Sequence, residues 1–275
     1  MESYRLEGQT FVIDDYDRKP AFSSFLPGLA GVKGIPMWTF YTNRGQGMNS
    51  FGIDNKGNAI MEFNSANTAF ENTQVKGFRT FLKIDGEYYE PFFTYEKEAK
   101  RQMRMNKNSF KIIETNEKYG IEVTVNYYVL PNESIGALVR QVSVKNIGDS
   151  AKEVQVIDGL PKIITYGIAN GEFKEMSNLF KSWADIRNLE NKVPYYTLRA
   201  STKDSAEVSD VEGGYYYLTV RDGKLQDVIY DVDTVFGYDL SLMTPVNFID
   251  GSIEGVLSKE QCFANKVPCG FTPFK

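Results

Sequence analysis

Strict alternation of apolar and polar residues constrains this chain more than any other feature. In YGIEVTVNYYVLP, residues 119–131, Ile121, Val123, Val125, Tyr127 and Val129 share one side of an extended backbone, while Glu122, Thr124 and Asn126 share the other. Successive side chains of a strand point to opposite faces, so this pattern describes a strand buried on one face only. RQVSVKN repeats it with Val142 and Val144, and KEVQVID with Val154 and Val156. Turn residues at 132–134 (Asn-Glu-Ser) and 148–150 (Gly-Asp-Ser) separate these runs, which makes antiparallel pairing the simplest arrangement. Further strands are predicted at 38–43, 49–53, 59–63, 78–84, 109–114, 195–200, 215–221 and 226–231. Many short strands punctuated by turns predict an all-β sandwich or barrel.

One stretch departs from this period. EMSNLFKSWADIRNLEN, residues 175–191, spaces Met176, Leu179, Phe180, Trp183, Ile186 and Leu189 by three and four, which predicts one short helix packed on the sandwich. EKEAKRQMRMNK, residues 96–107, has helix-forming composition but no apolar stripe, and it is read as extended or irregular. No linker, repeat or low-complexity tract divides the 275 residues, so a single domain over 1–275 is expected.

Composition excludes several classes of function. A net charge of -5 with no basic stripe argues against nucleic acid or an anionic membrane as partner. No run approaches the roughly 18 apolar residues of a membrane span, and the first residues carry acids where a signal peptide needs an apolar core. A cytoplasmic location is therefore expected. Cys262 and Cys269 are read as free thiols, and with no histidine in the chain they cannot complete a zinc site, so no metal is expected. The lack of histidine also removes Ser-His-Asp and Cys-His catalysis, leaving carboxylates, Tyr, Lys or Arg.

The stretch GIPMWTFYTNRGQGMNSFG, residues 34–52, is the richest in chemistry. Its Gly45-x-Gly47-x-x-Ser50 lacks the third glycine and the following helix of a dinucleotide site, so it reads as a tight hairpin whose glycines take positive φ. Alternation predicts Trp38 and Phe40 in the core, with Tyr41 and Asn43 on the opposite face and Arg44 and Gln46 at the turn. Aromatic rings beside amides and a guanidinium suit the apolar faces and hydroxyl rim of a sugar, so Tyr41, Asn43, Arg44, Gln46 and, further on, Glu62 are candidate substrate-binding residues. Glu62 stands inside an apolar run and must face solvent or meet a polar partner. Asp14, Asp15 and Asp17 lack calcium-loop spacing and read as a solvated loop.

The segment PAFSSFLPGLAGVKGIPMWTFYTNRGQGMNSFGIDNKGNAIMEFN, with GFRTFLKIDGEYYEPF, VNYYVLPNESIGALVRQVSVKN, NLFKSWADIRNLEN and GGYYYLTV, resembles the amino-terminal region of inverting glycoside phosphorylases of the cellobiose phosphorylase family, nearest the 1,2-β-oligoglucan phosphorylases. The likeness covers nearly the whole chain, and FSSFLPG, NRGQG and ALVRQVSVKN are its most specific parts. It implies a large antiparallel supersandwich of the galactose mutarotase kind, a β-glucan oligosaccharide as ligand, a helical-barrel domain and a possible homodimer as partners, and inorganic phosphate as co-substrate of the full-length enzyme, with no other cofactor. In that family the barrel carries the general acid and the phosphate pocket, so the resemblance transfers no catalytic residue to this chain. A freestanding carbohydrate-binding or interaction module is the alternative, and a hydrolase or mutarotase relative using carboxylates alone is a third.

Overall fold

The computed structural model describes residues 3–26, 28–94, 97–203 and 205–275, and it is an all-β antiparallel sandwich. A six-stranded sheet runs in the order Tyr4–Glu7, Thr10–Asp14, Lys100–Met105, Ser109–Asn116, Ile121–Val129 and Leu138–Asn146. A five-stranded sheet runs in the order Ile229–Asp231, Pro268–Phe274, Val154–Leu160, Arg79–Ile84 and Glu87–Tyr89. The third sheet aligns Ser23–Leu26, Ile35–Thr42, Met48–Ile53 and Ala59–Met61, with Leu29–Ala30 also paired to Ile35–Thr42. A smaller sheet joins Ala184–Arg187, Tyr195–Leu198 and Tyr215–Tyr216.

Alternation and sheet layering agree. Ser109–Asn116 alternates half-buried and buried residues along its whole length, because only one face of the six-stranded sheet meets the core. Phe110, Ile112, Val123 and Val125 on that face pack with Leu82 and Val156 of the second sheet and Met37, Tyr41 and Met61 of the third. Arg79–Ile84 and Pro268–Phe274 are instead buried at nearly every position. Their sheet is covered on its other face too, where Phe81, Ile157 and Phe271 pack against Val235, Phe248 and Val256 of the short helices Val232–Phe236, Val246–Asp250 and Ile253–Leu257.

The helical content differs from the expectation of one helix over 175–191. That stretch spans the end of the helix Asn170–Met176, a 3-10 turn over Ser177–Ser182, the strand Ala184–Arg187 and a second 3-10 turn over Leu189–Asn191. Its spacing of three and four places Phe180 in a satellite core with Phe173 and Leu198, but Ile186 belongs to the main core, so the apolar stripe serves two cores and no continuous helix forms. A longer helix, Ala66–Lys76, escapes periodicity because only Ala69 and Thr73 are buried on it. Lys100–Met105 is extended as read, and Glu96 lies outside the described residues. The run expected at 215–221 is two short pieces, Tyr215–Tyr216 and Val220–Arg221.

Candidate functional site

The hairpin forms as expected at its turn. Gly45 and Gly47 have φ of 50° and 83°, Gly47 N–H donates to the Arg44 carbonyl at 2.9 Å, and a Cβ on Gly47 would come within 2.1 Å of the Phe110 ring. Only glycine fits there.

The phase of its first strand is the reverse of the reading above. Met37, Thr39 and Tyr41 are buried, while Trp38 is 37% exposed and Phe40 is half-buried. A register shift between Phe40 and Tyr41 then brings Tyr41 and Thr42 inside together. Tyr41 stacks on Phe110 with ring centres 4.5 Å apart. The face expected to meet a ligand therefore meets the core.

The remaining hairpin candidates are occupied with the protein itself. Asn43 is fully buried: its Oδ1 accepts from Phe22 N–H at 2.9 Å, and its Nδ2 donates to the carbonyls of Tyr16 at 2.9 Å and Pro20 at 3.0 Å, tying down the loop before the third sheet. Arg44 is half-buried and donates to the carbonyls of Asn43 and Lys19. Gln46 is buried, donating to Thr80 Oγ1 at 3.0 Å and accepting from the Arg140 guanidinium. Arg140 also binds the Asp158 carboxylate, which accepts from Thr80 Oγ1 at 2.6 Å, and its guanidinium lies 5.0 Å from the Phe78 ring centre. Two of the three aspartates are engaged rather than solvated: Asp17 pairs with the buried Arg101 at 2.5 Å, and Asp14 accepts from Arg5 and Gln102. Cys262 is exposed and Cys269 buried, and both are free thiols.

Glu62 has a different setting. It lines a small pit between the third sheet and the helix Ala66–Lys76, together with Asn49, Asn64, Asn72, Lys76 and Lys162. Glu62 and Lys162 face each other at 3.9 Å, each about a quarter exposed. Lys162 Nζ lies 4.4 Å from the Phe173 ring centre, and burial holds its ammonium below the usual lysine value despite the attraction of Glu62. The Asn49 Nδ2 group is buried with no hydrogen-bond partner. A buried amide donor left unpaired costs about 1–3 kcal/mol. The pit has a volume of about 30 Å³, room for roughly two water-sized groups at ~10–15 Å³ each. It can take a hydroxyl or hydroxymethyl group, not a whole ring.

Among the described residues Glu62 is the only carboxylate lining the pit, one fewer than the two carboxyl groups of glycoside hydrolysis. Its chemistry is that of binding: two donors, one acceptor and several amides around a small polar space. Phe63, between Glu62 and Asn64, packs edge-on against Phe40 at 5.9 Å, and Phe40 adjoins the exposed Phe25 at 5.3 Å and Trp38 at 6.5 Å. The reversed strand phase thus leaves aromatic rings on the outer face of the sheet whose last strand leads into the pit.

Lys162, Asn72 and Lys76 were not legible as site residues, since Lys162 lies 100 positions from Glu62 and the helix has no apolar stripe. Arg140 did leave a signal. It shares parity with Val142 and Val144, and a cation on the apolar side of a strand implies a buried partner. Among the described residues no helix is long and apolar enough to cross a membrane. No family model and no curated protein matches the chain.

Proposed function

We propose that this chain is a carbohydrate-binding and assembly domain of a glycoside phosphorylase acting on β-linked glucooligosaccharides, with phosphorolysis to glucose 1-phosphate carried out by a partner helical barrel. The reading rests on the resemblance in FSSFLPG, NRGQG and ALVRQVSVKN. The observation that favours it is the pit, where Lys162 and Lys76 offer donors and Glu62 an acceptor of the kind a sugar hydroxyl needs. Exposed Trp38 and Phe25 beside Phe40 supply the apolar surface a pyranose face requires.

Two or three hydrogen bonds of about 0.5–1.5 kcal/mol each, with one ring contact, correspond to millimolar binding at about 4 kcal/mol. Titration of the ¹⁵N-labelled chain with β-1,2- and β-1,4-glucooligosaccharides tests this. Saturable shifts at Asn49 and Asn64 that are lost in Glu62→Gln and Lys162→Met are expected. Shifts that persist unchanged in both variants, or no saturable shift at all, would overturn the pit as the sugar contact. A second reading, an interaction module without chemistry, is favoured by a large apolar cleft on the same molecule.

A further inference from the structure

Glu62 and Lys162 face each other at 3.9 Å, beyond the reach of a direct hydrogen bond. Among the described residues the hydrogen bonds at Glu62 engage only its backbone carbonyl, from Ser50 and Asn64. The Lys162 ammonium otherwise lies against the face of the Phe173 ring. An acceptor and a donor that both line the pit are thus left facing one gap. A hydroxyl oxygen about 2.8 Å from each would close it, donating to Glu62 and accepting from Lys162.

One wall of the pit has the opposite character. Met61, Ala69 and Ile164 also line it, and all three are buried. A group that fills the pit therefore needs hydrocarbon against these side chains and a hydroxyl between the two charges. The volume of about 30 Å³ holds roughly two such groups at ~10–15 Å³ each. We propose that the pit is a hexose-selective subsite, which takes the exocyclic hydroxymethyl group of a pyranose. This inference rests on the carbohydrate reading above and names the sugar class that the site would select.

Other sugar substituents meet the same walls less well. A ring hydroxyl has no methylene arm, so its oxygen reaches the gap only by drawing the ring into a space too small for it. An acetamido group is too bulky for the same space. The carboxylate of a uronic acid can only accept, so it answers to Lys162 and Lys76 but meets the like charge of Glu62. A pentose carries no exocyclic carbon, and it leaves Met61, Ala69 and Ile164 uncovered and the gap unbridged by the ligand.

Cellotriose and xylotriose share their linkage and ring hydroxyls and differ in the hydroxymethyl groups, so titrating the ¹⁵N-labelled chain with each reads the subsite directly. Cellotriose should bind about fivefold or more tightly than xylotriose, the worth of roughly one net hydrogen bond. In Lys162→Met the preference should fall to within about twofold. Both sugars are compared on the same folded protein, so a change in the stability of the variant does not enter the ratio. Equal binding of the two trisaccharides to the native chain would overturn the hexose subsite and leave the carbohydrate reading standing, whereas no saturable shift with either would sink both. A preference that survives Lys162→Met would place the discrimination outside the pit, and tighter binding of the matching glucuronic acid trisaccharide would assign the pit to an anion. Either result overturns the proposal.

Discussion

Replacing Asp158 by asparagine should destabilise the fold by an amount the structure bounds. The Asp158 carboxylate takes a hydrogen bond from Thr80 on one oxygen and the Arg140 guanidinium on the other, with side-chain exposures of 12% and 7% for Asp158 and Arg140. An amide keeps one oxygen, so either Thr80 or Arg140 faces an NH₂ donor, and Arg140 keeps its buried charge without a counter-ion. Breaking a buried pair in this way costs about 3–5 kcal/mol. Unfolding entropy of ~2.1 cal/mol/K per residue over 275 residues is about 0.6 kcal/mol/K. The melting temperature should therefore fall by roughly 5–9 °C. Calorimetry on Asp158→Asn measures it, and the double variant Arg140→Met with Asp158→Leu should recover most of the loss, because no uncompensated charge remains. A fall below about 2 °C in the single variant, or a double variant worse than the single, would refute the view that this network is desolvated and held by charge.

Thermal melts should also separate the two sides of the hairpin strand: Tyr41→Ala, which removes the ring stacked on Phe110, is expected to cost about 3–5 kcal/mol, and Trp38→Ala only about 1 kcal/mol. The Lys162 ammonium is held below its usual 10.5 in the folded state by burial, so between that lowered value and 10.5 the unfolded chain binds more protons and stability rises with pH. The difference in stability between the native chain and Lys162→Met should accordingly shift in favour of the native chain across that window, and a pH-independent difference would refute the burial of this amine. The purified 275-residue chain should release no glucose 1-phosphate from β-1,2- or β-1,4-glucooligosaccharides in the presence of phosphate. Turnover would overturn the assignment of chemistry to a partner barrel.

Local patterning was sufficient for the strongly alternating strands and for one hairpin turn, while strands such as Thr10–Asp14 and Pro268–Phe274 were not read from it. The alternation in 121–129 and 142–144 is realised as paired strands in register, and Arg44–Gly47 turns as its glycines require. Residue type alone also placed Glu62 against a polar partner as one of two outcomes, since a carboxylate within an apolar run tolerates nothing else.

The candidate site was less legible because alternation distinguishes two faces without saying which is inward. Trp38 and Phe40 are as apolar as Met37 and Tyr41, and the choice was made by what lies across the core: Phe110 receives Tyr41, and the bulge after Phe40 brings the next residue inside as well. Asn43 and Gln46 look like ligand-facing amides in the sequence. In the fold they satisfy the Phe22 N–H and the Arg140 guanidinium, partners 21 and 94 positions away. The pit depends on similar distances, joining Asn49, Glu62 and Lys162 around a helix that shows no apolar face. What the sequence by itself determined was the extended backbone, its two faces and its turns, because these follow from interactions between residues a few positions apart. Only the tertiary structure decided which face is buried, which polar groups are spent inside and which remain open to a ligand, because each of those outcomes depends on groups brought together from distant parts of the chain.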